Sequence, residues 1–217
     1  MNGLVVYTAI TNAYDVIRTP PKACRGVASF VAYLDRPAQF SGWEVREACK
    51  QFSDPSRNAK MHKILPHVYL GDVQYSLWID GSVEIKEGFA ADDFISKYLA
   101  DVDFAVFRHR KRTCIYQEAK ACIEQGKDSP EIIRRQVDRY FEEGYPANAG
   151  LAECTVLLRR HTAQVKQFDE MWHGEIVANS KRDQLSFNYV ARKTGFRFNY
   201  ISGTISKNPH FLWRRHR

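Results

Sequence analysis

No cysteine in this chain belongs to a Cys-x-x-Cys pair. The five present (Cys24, Cys49, Cys114, Cys122 and Cys154) are odd in number and scattered along the sequence. Such spacing offers neither a zinc knuckle nor a closed disulfide framework, and fits reduced thiols in a cytoplasmic protein. No apolar run approaches the ~18 residues that a membrane span needs. The opening MNGLVVYTAITNAYD lacks the basic start and long apolar stretch of a secretory leader and reads instead as a first strand. No G-x-G-x-x-G follows that strand, which argues against a nicotinamide enzyme. No G-x-x-x-x-G-K-[ST] occurs, which argues against a P-loop nucleotidase. Repeats, low-complexity tracts and linkers are also missing, so nothing divides the chain in two.

What remains is an ordinary globular composition. Of the 217 residues, 44% are hydrophobic and 26% charged, enough for one domain with a good core. We expect that domain over residues 1–203, followed by a basic tail over 204–217. The net charge of +7 is partly clustered, in RHRKR at 108–112, RRH at 159–161 and WRRHR at 213–217. Each cluster taken alone fits a solvated surface. Together they suggest a polyanionic partner, either a nucleotide diphosphate or a nucleic acid, DNA or RNA.

Apolar runs at 4–10, 27–34, 75–79, 104–107, 154–158 and 196–201 read as strands, with a short one in WEVREA. Helical patterns fill the spaces between them: about 56–65, opened by Asp54-Pro55, then 91–99, 113–126, 130–144, 162–177 and 181–193. Strands alternating with helices predict an α/β fold, a mostly parallel sheet covered on both faces. In such sheets ligands gather at the carboxyl ends of the strands. Four of those ends carry chemistry: Thr8, Asp35, Asp80 and His109.

The stretch YSLWIDGSVEI puts Asp80 at the end of an apolar strand, next to Gly81. A buried carboxylate is costly unless something pairs with it. Asp80 can close its own turn, ligate Mg²⁺ or Mn²⁺, or bind a sugar hydroxyl. Gly81 leaves room for close backbone approach. Just upstream, Arg57, Lys60 and Lys63 recur at helical spacing. They can form one side of an amphipathic surface helix or hold a diphosphate.

Four ordered blocks then resemble one family. YTAITNAYD, DPSRNAKMHKILPHVYL with YSLWIDGSVEI, FRHRKRTCIYQEAKA, and SKRDQLSFNYV are similar to the glycosyltransferase-like domain shared by plant mucilage-related proteins and many small bacterial proteins. The resemblance implies a GT-A-like, Rossmann-like fold and a nucleotide-sugar donor. It places Thr8, Ala9, Tyr14, Asp35, Arg57, Lys60, Lys63, Asp80, Gly81 and Ser82 around that donor. NAGLAECTVLL resembles a segment that contacts the donor sugar, which adds Asn148 and Gly150. RDQLSF resembles a helix start beside the transferred sugar, which adds Gln184.

For the catalytic groups, Asp183 is the first choice of base, Glu153 the second, and His109 a partner for phosphate or acceptor. Family members usually carry Asp-x-Asp, but here the run is Asp80-Gly81-Ser82, so either a Mn²⁺ or Mg²⁺ is held by Asp80 with help from His210, or no metal is used. The implied function is hexosyl or pentosyl transfer to an acceptor hydroxyl, with hydroxymethylated phage-type DNA as one polyanionic acceptor. A polysaccharide or small-glycan acceptor, or an inactive basic α/β binding module, stay open beside it. Some plant members bear a ceramidase label, but no Ser/His/Asp arrangement or zinc spacing supports lipid amide hydrolysis.

Overall fold

The computed structural model describes residues 3–36 and 38–214. Seven strands form one sheet: β1 (Leu4–Ile10), β2 (Ser29–Leu34), β3 (Glu44–Glu47), β4 (Tyr75–Ile79), β6 (Phe104–Arg108), β7 (Ala152–Arg160) and β8 (Asn199–Ile201), in the order β3-β2-β1-β4-β7-β6-β8. All neighbours are parallel except that β7 runs antiparallel between β4 and β6. The expected α/β class, with a mostly parallel sheet between helices, is what the chain adopts. Two further strands, β5 (Val83–Ile85) and β9 (Phe211–Trp213), pair antiparallel in a separate ribbon. Through this pairing residues 204–214 pack back onto the domain, and Phe211 is buried. The last three residues of the basic run at 213–217 lie outside the described residues.

The central strands are apolar along their whole length because both faces are covered. Tyr7, Val31, Trp78, Phe104 and Leu157 point to one face. There they meet α1 (Pro55–Ile64), α6 (Ala163–Ala178) and α7 (Asp183–Thr194) through Ile64, Trp172 and Phe187. Val6, Phe30, Leu77, Ala105 and Leu158 point to the other, against Phe94 of α3 (Ala91–Tyr98) and Phe211 of the ribbon. The period-2 alternation of a strand produces this division. Each large side chain sealed in this way stabilises the fold by ~1.5–3 kcal/mol. Trp78 and Trp172 are among them.

Helix starts follow their capping residues. The Asp54 carboxylate accepts the Ser56 N–H at 2.8 Å ahead of Pro55, and Ser129 and Thr162 cap α5 (Pro130–Glu142) and α6 in the same manner. The remaining helices, α2 (Pro66–Tyr69) and α4 (Ile115–Glu124), complete the chain.

Three strands differ in their boundaries from the sequence reading for identifiable reasons. The strand expected at 27–34 begins at Ser29, because the Val27 and Ala28 N–H groups close a 3-10 turn onto Cys24 O. The strand expected at 196–201 shortens to Asn199–Ile201: Phe196 N–H instead closes the end of α7 on Ala191 O, and its ring stacks on Phe168 at 4.0 Å. The strand expected at 154–158 runs on at both ends, since β7 has a neighbour along each side.

Candidate active site

The carboxyl ends of β1 and β4, the first turns of α1 and α7, and one side of α4 surround a cleft of about 650 Å³. Of the residues singled out in the sequence, Ala9, Tyr14, Lys60, Lys63, Asp80, Gly81, Ser82, His109, Glu153, Asp183 and Gln184 line it together. Residues separated by more than a hundred positions meet here because parallel strands bring their carboxyl ends to one edge.

At the centre is a chain of alternating charges. Lys63 Nζ lies 3.0 Å from Asp80 Oδ1 and 2.7 Å from Asp183 Oδ2, and the Lys63 side chain is only 2% exposed. Lys60 Nζ lies 2.7 Å from the same Asp183 oxygen. The other Asp183 oxygen accepts the Gln184 N–H at 3.1 Å. Burial alone would raise the Asp183 pKa, but Lys60, Lys63 and Arg182 outweigh it and hold the carboxyl far below the usual range. Asp183 is thus an ionised anchor and a poor proton acceptor. Asp80 Oδ1 also accepts the Trp78 indole N–H at 2.7 Å. An ammonium and an indole thus hold the carboxylate at the strand end, and 28% of its side chain stays exposed.

Glycine at 81 has a steric cause. A β-carbon there would come within 2.7 Å of Asp15 Cβ, so the turn after β1 can close over this position only if it carries no side chain.

Glu153 has a different environment. Its side chain is 5% exposed, Oε1 is 3.9 Å from Arg110 Nε, and Oε2 is buried with no hydrogen-bond partner. Burial raises its pKa, only partly opposed by Arg110. A carboxyl of that kind takes up a proton more readily than Asp183, whose charge two ammonium groups hold in place. His109 is held neutral chiefly by burial, with Arg112, Arg110 and Lys111 adding to the effect against Glu118. Its Nδ1 accepts the Arg112 N–H at 2.9 Å, which leaves Nε2 facing Glu118 at 3.7 Å. Glu118 in turn pairs with Arg112 at 2.5 Å.

Other expected residues stand elsewhere. Arg57 turns away from the cleft and donates to Ile176 O and to Asn179 O, the latter at 2.8 Å, where α6 ends. Three residues on from it, Lys60 has come round toward the cleft. Thr8 lines a separate small cavity with Trp43, its hydroxyl buried and unpartnered. Asp35 accepts the Asn12 N–H at 2.6 Å. Asn148 and Gly150 form the left-handed turn before β7, with φ of 57° and 93°.

His210 is not brought to Asp80. The β5–β9 register sets it opposite Lys86, whose N–H it accepts at 2.9 Å through its backbone, and its ring packs edge-on to Phe94. Ser82 is buried. Among the described residues no group of three or more His, Cys, Asp or Glu side chains is arranged to hold a metal ion. Of the two cation ligands expected from the sequence, only Asp80 faces the cleft, and one of its oxygens is already engaged by an ammonium and an indole.

The basic clusters separate as well. Arg159 is fully buried and Arg160 pairs with Asp103 at 2.5 Å, so the run at 159–161 is structural. In the run at 108–112, Arg110 stacks on Trp213 at 4.8 Å and both line the cleft. Sequence reasoning missed Asp15, Thr155 and Arg182 as cleft residues. Arg182 adjoins Asp183 in the very segment that drew attention, whereas Thr155 carried no signal beyond its place in an apolar strand.

The model of the TOD1/MUCI70 glycosyltransferase-like domain family matches residues 43–202, which span α1, the Asp80 turn, β7 and the start of α7. The chain belongs to that family. Two relatives from Arabidopsis thaliana are "Probable hexosyltransferase MUCI70", 28% identical over 228 residues (91% of this chain, 39% of that protein), and "Alkaline ceramidase TOD1", 24% identical over 221 residues (87% and 48%). This chain therefore spans less than half the length of either. Among solved structures it is similar to mouse xyloside xylosyltransferase 1 (TM-score 0.49, 8% identity, 92% of this chain and 84% of that one). It is equally similar to a glycosyltransferase involved in glycosylating the major capsid of PBCV-1 (TM-score 0.49, 8% identity, 97% and 91%).

Proposed function

We propose that this TOD1/MUCI70-family domain transfers a hexosyl group from a nucleoside diphosphate sugar to an acceptor hydroxyl. The observation that carries the reading is the Asp80–Lys63–Asp183–Lys60 chain at the carboxyl edge of the sheet. In the transfer, the anomeric carbon leaves the diphosphate oxygen and bonds to the acceptor oxygen, and the acceptor proton goes to a base. Positive charge builds at the sugar carbon and negative charge on the departing diphosphate, so fixed charges placed in advance lower the barrier. Lys60 and Lys63 face the departing diphosphate. Asp80 and Asp183 fix those ammonium groups and face the sugar.

Glu153 takes the proton, in place of the more strongly ionised Asp183. Ala9 and Tyr14 border the nucleotide, and Gln184 the sugar. No step is routed through a metal. A nucleic-acid acceptor draws support from the basic residues Arg110, Arg112, Lys127 and Lys181 at the cleft, and loss of duplex binding with salt would measure it.

A thermal-shift screen of nucleoside diphosphates and sugar nucleotides, each with and without Mn²⁺ or Mg²⁺, tests the reading. A cognate donor at a hundredfold excess over its Kd should raise the Tm by about 5–10 °C. A panel that moves the Tm by nothing in either condition ends the proposal.

A further inference from the structure

At the α4/α7 end of the cleft, Arg182 is the residue before α7 and lines the cavity, and its Nε is buried without a hydrogen-bond partner. The guanidinium donates to Gln184 Oε1 at 3.4 Å and faces the Cys122 thiol, and it feels the Asp183 carboxylate without an ion pair to it. The carboxylates nearby are already committed, Asp183 to Lys60 and Lys63, and Glu118 to Arg112. Lys127, just past α4, lies on the same rim. On the β7 side of the cavity Thr155 Oγ1 and Glu153 Oε2 are buried and unpartnered too. Lys60, Lys63 and Arg182 thus share two carboxylates, Asp80 and Asp183, which leaves one partly buried cation in surplus beside unpartnered donors and acceptors of the cleft wall. A planar guanidinium is best completed by a carboxylate or phosphate. This end adjoins the lysines, with Asp183 between Arg182 and the Lys63–Asp80 pair.

We propose that the α4/α7 end of the cleft is a subsite for an anionic substituent, a carboxylate or a phosphate, carried by the saccharide and anchored by Arg182. The inference rests on the reading of the cleft as a nucleotide-sugar site, and it gives that site a charged sugar as substrate class.

The test is calorimetric titration of the full chain with glucose, glucuronate, glucose 6-phosphate and inorganic phosphate, alone and with uridine, guanosine or adenosine diphosphate present. Glucuronate or glucose 6-phosphate should bind at least ~10-fold more tightly than glucose, the worth of one charge-assisted hydrogen bond. The tighter of the two names the substituent. Arg182→Gln should bring the two classes within about twofold of each other, and Arg182→Lys should keep part of the preference. Circular dichroism and the Tm establish that each variant folds. Equal binding of glucose and both anionic sugars overturns the subsite. So does a preference that survives in a folded Arg182→Gln, or inorganic phosphate alone binding as tightly as glucose 6-phosphate. Failure of every nucleoside diphosphate to bind would instead strike the transferase reading, and a persisting preference for anionic sugars would leave the subsite standing.

Discussion

Two buried ionic networks share helix α1, and they are built differently. Beneath the sheet, Arg159 and Asp169 are both fully buried, with Nε 2.9 Å from Oδ2. The same guanidinium donates to the Tyr7 hydroxyl at 3.1 Å and to Lys63 O at 3.2 Å, and lies 4.7 Å from the Phe104 ring. One cation faces one carboxylate, and apolar side chains close over both. At the cleft, two ammonium groups and two carboxylates are interlinked, while Glu153, Thr155 and Arg182 beside them keep unpartnered atoms. A sealed and balanced network belongs to the fold. The cleft network differs in being open: its unpartnered atoms line a cavity, whereas Asp169 Oδ2, also without a hydrogen-bond partner, is closed off.

The sharpest way to break this comparison is to empty each network in turn. Arg159→Ala strands a buried Asp169 and should destabilise the protein by ~3–5 kcal/mol, read from urea denaturation. A change below about 1 kcal/mol would mean that the sealed network is not structural. Glu153→Gln should do the reverse. The Tm stays level or rises slightly, since a buried carboxyl with one unpartnered oxygen is removed, while kcat/KM falls ~10²–10⁴-fold. The acid limb of the pH profile, set above the ordinary carboxylate value by burial, should vanish in that variant. An unchanged limb would assign the proton to another group.

The pH dependence of stability gives a finer distinction. The folded pKa of Asp183 is depressed, so its contribution is fully present above the unfolded value of about 4 and is lost as pH falls below it. Thermal melts between about pH 5 and pH 2 should show a shallower slope for Asp183→Asn than for the native chain. The smallest effect is expected at Arg57. Because its guanidinium caps the end of α6, Arg57→Ala should cost about 1 kcal/mol and leave donor affinity untouched. A drop in donor affinity would return Arg57 to the cleft.

Arg57 also illustrates what the sequence could and could not disclose. Spacing of three predicted one cationic row, and Lys60 and Lys63 do share a carboxylate. Six residues of a helix turn far enough that the first member of the row faces another element, and which element depends on tertiary packing. The strand-end rule located Asp80 and His109 at the cleft, because parallel topology follows from alternating elements. It misplaced Thr8, whose side chain points to the opposite face, and the basic run at 159–161, where strand β7 alternates a buried Arg159 with a surface Arg160. His210 was out of reach because a three-residue ribbon fixes its position through backbone register, on which composition is silent. The proposed shift of the base from Asp183 to Glu153 needed knowledge of which carboxylate two lysines would select.

Lys63 extends these points beyond the single site. Its carbonyl is gripped from below by Tyr7 and Arg159, and its ammonium from above by Asp80 and Asp183. One residue is therefore a rivet through both layers. Heating or denaturant should not loosen the recognition surface ahead of the scaffold. The two should melt in a single cooperative event, and a mutational search for altered sugar preference would find its tolerant positions along the rim rather than at the floor.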